Sequence, residues 1–459
     1  MKATSYRKVF LTLIKFSMPL ILSGILQQLY LWVDAFIVGR YVGENALAAI
    51  GVNAAVTEFV TFMIVGFTTG LGVIAAQRFG AGDHDTIRKL FSTFLVILAG
   101  GFIFISVMGN VFSGQILTAL STPGDIFGYA DDFLKIIFIG VPFLCIYNLY
   151  AAMLRAEGNT KASFFAIVLS SVINVVLDIL LVAVFNMGVQ GAAIATVISQ
   201  IIMAIYIVLY ASRRYEDFRI GKNIKVFSKD VVALGCSFAI PLMLQQSLTA
   251  FGNLVIQGVI NSFGSQTVAA MTTAYRIEAV AILLIFSFGV AISTMVAQSK
   301  GAGNAEDVKR YSIVGFAICI VTSLMIIIVL YKFGGALMGI FGVEAQTASI
   351  GIMYFQIMSV FYYIPFGAES AFRGTIEGNG NVMYSTIVGV AAIVVRIGFS
   401  FIFAGSMGNA VIAHAEGVGY ILMIACYLPY IIKLWSRKKS KASKKHFQKI
   451  GKTVSYNQM

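Results

Sequence analysis

Apolar residues run along this chain in twelve blocks, each bounded by charges, glycine clusters or turn residues. The first six run roughly Thr12 to Gly39, Ala46 to Gln77, Leu90 to Phe112, Phe133 to Leu154, Ala162 to Phe185 and Val189 to Tyr210. The next six run roughly Val231 to Phe263, Val268 to Gln298, Tyr311 to Tyr331, Ile350 to Phe372, Val382 to Phe403 and Ala410 to Leu434. A helix needs about 20 apolar residues to cross hydrocarbon, and each block supplies that length. The pattern predicts an all-α polytopic membrane protein with twelve transmembrane helices, both termini on one side. The first block follows Lys2, Arg7 and Lys8 but continues past Leu31 without a small-residue cleavage site, so it reads as a retained helix.

The blocks repeat. Ala76-Gln77-Arg78-Phe79-Gly80-Ala81-Gly82 returns as Ala297-Gln298-Ser299-Lys300-Gly301-Ala302-Gly303, after the second helix of each half. Pro19-Leu20 matches Pro241-Leu242 in the first helix of each half, and Glu157-Gly158-Asn159 matches Glu377-Gly378-Asn379 after the fourth. One glycine-rich turn is weak punctuation, but three matches at a shift of about 221 residues indicate duplication. Six helices per half make the repeats parallel, related by an axis along the membrane normal. Two pseudo-symmetric six-helix bundles are expected: an N-lobe at 1–211, a cytoplasmic linker at 212–230, a C-lobe at 231–435 and a basic cytoplasmic tail at 436–459.

Composition agrees: 59% of residues are hydrophobic and 12% charged, with a mean hydropathy of +0.88, against roughly 25% charged in a soluble domain. The net charge of +13 is a matter of topology rather than of nucleic-acid binding. Basic residues stay cytoplasmic, and an inside N-terminus puts there Arg88, Lys89, Lys161, the run Arg213 to Lys229, Lys309, Arg310 and the acid-free tail. The opposite side receives only Arg40, Lys135 and Lys332. Both termini are therefore expected in the cytoplasm, in a cytoplasmic (inner) membrane. The four cysteines and three histidines stand singly, so neither a disulfide nor a zinc or haem site is expected.

Five acids fall inside the blocks, Asp34, Glu58, Asp178, Glu278 and Glu369, with Arg276 and Arg396 as the bases. An ionisable group at a helix centre costs at least about 2.5–3.5 kcal/mol, so each requires a reason. At about 1.5 Å rise per residue, Asp34, Asp178 and Thr196 reach a common level in the outer half of the membrane. Asn174 lies one turn from Asp178 on the same helix face. These four side chains, from three helices, suit a proton or a Na⁺ ion; the structural alternative is that Asp34 snorkels and Asp178 only hydrogen-bonds a neighbouring helix.

Pro19 and Pro241 interrupt the first helix of each half, and Pro19 could be a gating kink near Asp34 or a static bend. Gln27, Gln245 and Gln246, with Arg276, Glu278, Glu369 and Arg396, could line a substrate cavity or form a polar site in the second lobe. Arg396 is expected to pair with Glu278 or Glu369. The shift places Ile256 opposite Asp34, so the halves differ in chemistry.

In order along the chain, these features resemble the multidrug and toxic compound extrusion (MATE) family up to the basic tail. The resemblance rests on Pro19 and Asp34 in the first helix, on both A-Q-x-x-G-A-G motifs, on Leu154-Arg155-Ala156-Glu157-Gly158-Asn159 and on Asn174-x-x-x-Asp178. It implies an alternating-access antiporter, without a cofactor, that expels cationic or amphipathic small molecules in exchange for H⁺ or Na⁺. The cation site would fall on Asp34, Asn174, Asp178 and Thr196. Some Na⁺-coupled members carry an acid on the seventh helix, where this chain has Gln245 and Gln246. The expected partners are the substrate and the bilayer, with no nucleic acid, and the expected state is a monomer. A flippase for a lipid-linked saccharide is the alternative; two bases against five acids favour cationic cargo over pyrophosphate. No H-E-x-x-H or G-x-S-x-G motif supports an enzyme.

Overall fold

The computed structural model describes residues 4–219 and 228–436. Residues 220–227 of the expected linker, and the basic tail beyond Ser436, lie outside the described residues. The first half comprises α1 (Tyr6–Tyr41), α2 (Glu44–Gly80), α3 (His84–Val111), α4 (Ser113–Ala119), α5 (Gly124–Ala156), α6 (Lys161–Asp178) and α7 (Gly188–Arg214). The second comprises α8 (Lys229–Ser262), α9 (Ser265–Gly301), α10 (Ala305–Ile340), α11 (Ala345–Phe361), α12 (Tyr363–Gly378), α13 (Val382–Met407) and α14 (Val411–Ser436).

Among the described residues these helices make twelve crossings. The helices α1 to α3 and α5 to α10 are each long and apolar enough to span, whereas α4 has only seven residues. The tenth crossing is broken: α11 and α12 meet at Tyr362 with a bend of 51°, where one straight helix was expected. The helices α13 and α14 form a hairpin around Gly408, whose φ of 56° lies in the left-handed region that a glycine enters without a Cβ clash. Tyr427 Oη donates to the Ser385 carbonyl at 3.1 Å, so the start of one helix lies against the end of the other.

The lobes meet along α2 and α8. Gly66 and Gly70 are four apart on one face of α2, and there the two backbones touch. A Cβ on Gly66 would stand 2.7 Å from the Met243 Cα, and one on Gly70 2.5 Å from the Ala239 Cα. Close approach of small residues is the usual way helices associate in lipid, where no hydrophobic drive holds them together.

The repeated A-Q-x-x-G-A-G motif acquires a geometry at the basic end of the bundle. Gly80 of α2 and Gly301 of α9 cross so closely that a Cβ on Gly80 would lie 2.0 Å from the Gln298 carbonyl oxygen. One on Gly301 would lie 1.8 Å from that of Gln77. Gln77 Nε2 reaches into the other half and donates to the Gly378 carbonyl at 2.9 Å. Gln298 Nε2 does the reciprocal, donating to the Ala156 carbonyl at 2.6 Å. The last glycines, Gly82 and Gly303, take φ of 71° and 69° to turn the chain into the next helix. In both copies of the motif, then, the glutamine ties the lobes, the first glycine lets them touch and the last reverses the chain.

The chain leaving α7 is pinned beside this crossing. Asp217 lies 2.6 Å from His84 Nδ1 and accepts from Arg88 at 3.1 Å. Glu157, just beyond α5, feels the same Asp217. Burial and that neighbouring negative charge push its carboxyl up to about 7, against the opposing pull of His84.

Candidate functional site

Asp178 is the last residue of α6 before the helix widens into i→i+5 geometry over Ile179–Val184, closed by the Phe185 N–H on the Leu180 carbonyl. Such local widening re-aims the side chains beside it and is common at functional positions. Asp178 is fully buried and Asn174, one turn earlier, is 3% exposed. On α1, Tyr30 and Asp34 occupy the same face one turn apart, and both Tyr30 and Asp34 lie within electrostatic reach of Asp178.

Five buried polar atoms at this junction have no hydrogen-bond partner: Asp34 Oδ1, both carboxylate oxygens of Asp178, and Asn174 Oδ1 and Nδ2. Neither acid makes an ion pair among the described residues. A buried unpaired polar atom costs about 1–3 kcal/mol, more when charged, so these atoms carry an unmet demand for a hydrogen-bond donor or a positive charge. The oxygen set of two carboxylates, an amide and the nearby Thr196 hydroxyl suits a proton or Na⁺.

Asn174 and Thr196 line a cavity of about 150 Å³ inside the N-lobe, together with Tyr30, Ser171, Ser199 and Gln200. A second cavity of about 240 Å³ lies between the lobes. Gln27, Tyr147 and Asn148 belong to both walls, so the two cavities adjoin there; Asp34 and Asp178 line neither, and Asn174 is the member of their group that borders the smaller one. The inter-lobe wall also holds Gln245 and Gln246 of α8, and Arg155, Arg373 and Glu377 at its charged end. Pro19 sits within an uninterrupted α1, and its carbonyl accepts from Ser23 Oγ at 2.6 Å.

The C-lobe corrects several expectations. Arg396 pairs with Glu416 of α14, not with Glu278 or Glu369, and its Nη1 donates to Asn253 at 3.0 Å. Glu369 pairs instead with Arg373 one turn along α12, at 2.8 Å, and the same guanidinium reaches Glu377 at 4.0 Å. Glu278 accepts from the Tyr354 hydroxyl at 2.8 Å. Arg276 and Glu58, read as intramembrane charges, are exposed and line neither cavity. Glu278, Glu369 and Arg396 do not line the cavities either, whereas Gln27, Gln245 and Gln246 do.

Arg373, Glu377, Glu416 and Arg155 are the buried or half-buried charges that sequence reasoning did not place within the membrane. The spacing Glu369, Arg373, Glu377 at i, i+4, i+8 was the available signal for two of them. No spacing points to the Arg396–Glu416 pair, which joins different helices.

The MatE family profile matches the chain twice, over residues 19–180 and 241–402, so that the two matches reproduce the internal repeat. A probable multidrug resistance protein of Bacillus subtilis, YpnP, is 28% identical over 445 residues, covering 96% of this chain and 99% of its own. A second from that organism, YoeA, is 26% identical over 391 residues, 82% of this chain and 83% of the other. A solved structure described as the outward-facing conformation of a multidrug resistance MATE family transporter superposes with a TM-score of 0.86. It is 20% identical and covers 95% of this chain and 100% of its own. With both halves matched, the chain belongs to the MatE family and is a multi-pass membrane transporter of the multidrug and toxic compound extrusion type.

Proposed function

We propose that this transporter is a secondary antiporter that expels cationic or amphipathic small molecules in exchange for H⁺ or Na⁺. The observation that carries this reading is the cluster of five orphaned polar atoms on Asp34, Asn174 and Asp178, with no protein base beside them. Two carboxylates in electrostatic reach of each other in a low-dielectric site need a counter-charge, and a bound cation or a shared proton provides one. Such a charge can leave, as a fixed arginine cannot.

The N-lobe, residues 1–211, then carries the ion and shares the substrate with the C-lobe, residues 231–435. Ion binding draws the Asp34 face of α1 towards Asp178, which moves Tyr30 and Gln27, the part of α1 that lines the cavities. Substrate in the inter-lobe space and cation in the N-lobe thus compete for one arrangement of α1, with Pro19 as its bending point. Binding of either shifts the population of states through its differential affinity alone. The Gln77 and Gln298 bonds close the basic end, which the positive-inside rule places in the cytoplasm, as both termini are. The monomer holds every part of this machinery, and no cofactor enters it.

Efflux from vesicles under an imposed Na⁺ gradient and, separately, a pH gradient tests the proposal. At least one gradient is expected to drive accumulation of an amphipathic dye. Dye movement that ignores both gradients would remove the antiport mechanism.

A further inference from the structure

Of the three charged groups that line the inter-lobe cavity among the described residues, Arg373 and Glu377 are paired, and one, Arg155, is not. Arg155, in the last turn of α5, is half-buried and lines the cavity, yet its guanidinium makes no ion pair or hydrogen bond among the described residues. The titratable group within its electrostatic reach is the Tyr147 hydroxyl, which is neutral. The buried arginines of the C-lobe each hold a carboxylate, Arg373 on Glu369 and Arg396 on Glu416. Glu157, two residues along, is turned away into the field of Asp217 and His84.

We infer that Arg155 is an oxyanion subsite for the transported molecule, so that the cargo is an amphiphile bearing a carboxylate or phosphate group. The inference rests on the exporter reading and narrows its substrate class. A guanidinium presents a planar fork that matches a carboxylate or phosphate with two parallel hydrogen bonds. The largely apolar wall also carries Asn148, Ser163, Ser293 and Thr294, side chains able to solvate the remaining lone pairs. Glu377 lies on the same wall from the other lobe, but Arg373 already holds it at 4.0 Å, so Arg155 is the charge on this wall left without a partner among the described residues. The Ala156 carbonyl, next in the chain, is the acceptor of the Gln298 bond that ties the lobes. An oxyanion seated on Arg155 therefore bears directly on the closed end of the cavity.

The test uses a rhodamine dye with a free carboxylate and the methyl ester of the same dye, titrated by fluorescence anisotropy into the purified full chain in nanodiscs. The wild type is expected to bind the carboxylate dye about tenfold more tightly than the ester, the size of one charge-assisted bidentate contact. In Arg155→Gln that ratio falls to about one, and Arg155→Lys keeps part of it. Monodisperse elution of each variant establishes folding independently. Ester binding without a carboxylate preference, or an unchanged preference in Arg155→Gln, overturns the subsite and leaves the exporter reading standing. Binding of neither dye counts against both. Repeating the titration in phosphatidylglycerol and in phosphatidylcholine nanodiscs separates the two sources of oxyanion. Surface repulsion by the anionic lipid acts on both proteins alike. A difference between wild type and Arg155→Gln that is present in phosphatidylcholine and vanishes in phosphatidylglycerol therefore shows that Arg155 serves an anionic lipid phosphate rather than a solute, and overturns the cargo assignment.

Discussion

The two lobes share a fold and solve the problem of buried charge in opposite ways. In the N-lobe, Asp34 and Asp178 face each other without a base, and five polar atoms are left over. In the C-lobe, three buried acids hold two arginines, Glu369 and Glu377 on Arg373 and Glu416 on Arg396. The fourth, Glu278, takes a tyrosine hydroxyl on one oxygen and leaves the other without a partner among the described residues. A fixed partner makes a charge part of the scaffold, since breaking such a pair leaves the other member stranded. A missing partner makes it a place where something mobile can bind. The proposed antiport also accounts for the duplication remaining visible in the glycine and glutamine positions at the lobe contact but not in the acids: both halves need the contact, and under that proposal only one needs the ion.

Neutralising the N-lobe pair should break the comparison most clearly. Asp178→Asn and Asp34→Asn are each expected to cut dye efflux about hundredfold in cells, with a melting temperature equal to or above wild type because a stranded charge is removed. Equal loss of efflux and of folded protein would assign the acids to the scaffold. The converse holds across the molecule: Arg396→Gln should destabilise the fold by about 3–5 kcal/mol, read as loss of folded protein. An Arg396→Met, Glu416→Leu double variant should recover most of it, and failure to recover would mean that the pair does more than balance charge.

The lobe contact is next in size. Gly301→Val would place atoms within the Gln77 backbone, so the basic end cannot close. Spin labels on α2 and α9 should show a wider separation, and efflux should fall about tenfold, about 1.4 kcal/mol in the balance of states. An unchanged separation would show that the crossing tolerates bulk. The smallest effect concerns Glu157. Its folded carboxyl, near 7, lies above the ordinary carboxylate value of 4.5, so the folded state holds the proton more tightly than the unfolded chain. The resulting stability is present below 4.5 and is lost as pH rises through about 7. Thermal melts of Glu157→Gln should be flatter than wild type across that window, and identical slopes would contradict the assignment.

Much of the fold was legible because hydrocarbon thickness imposes block length, and a constant shift exposes duplication without any tertiary knowledge. Asn174 and Asp178 could be placed on one face by helical period alone, and depth counting aligned them with Asp34 and Thr196. The partner of Arg396 was not legible, because Glu416 lies on another helix and no spacing rule relates them. The bend at Tyr362 did have a signal that counting apolar blocks passes over: Pro365, three residues on, lacks the N–H that a straight helix would give to the Phe361 carbonyl. Arg155 reads as a motif letter at a helix end, and only the cavity around it gives it a role.

The central claim, that Asp34 and Asp178 hold a displaceable cation, can be measured without transport. Adding substrate to weakly buffered purified protein, with a pH indicator and a Na⁺ electrode, should release about one H⁺ or Na⁺ per chain, since a coupled pair titrates as a unit. The Asp34→Asn, Asp178→Asn double variant should bind the same substrate and release none. Undiminished release from that double variant would place the ion elsewhere and contradict the account.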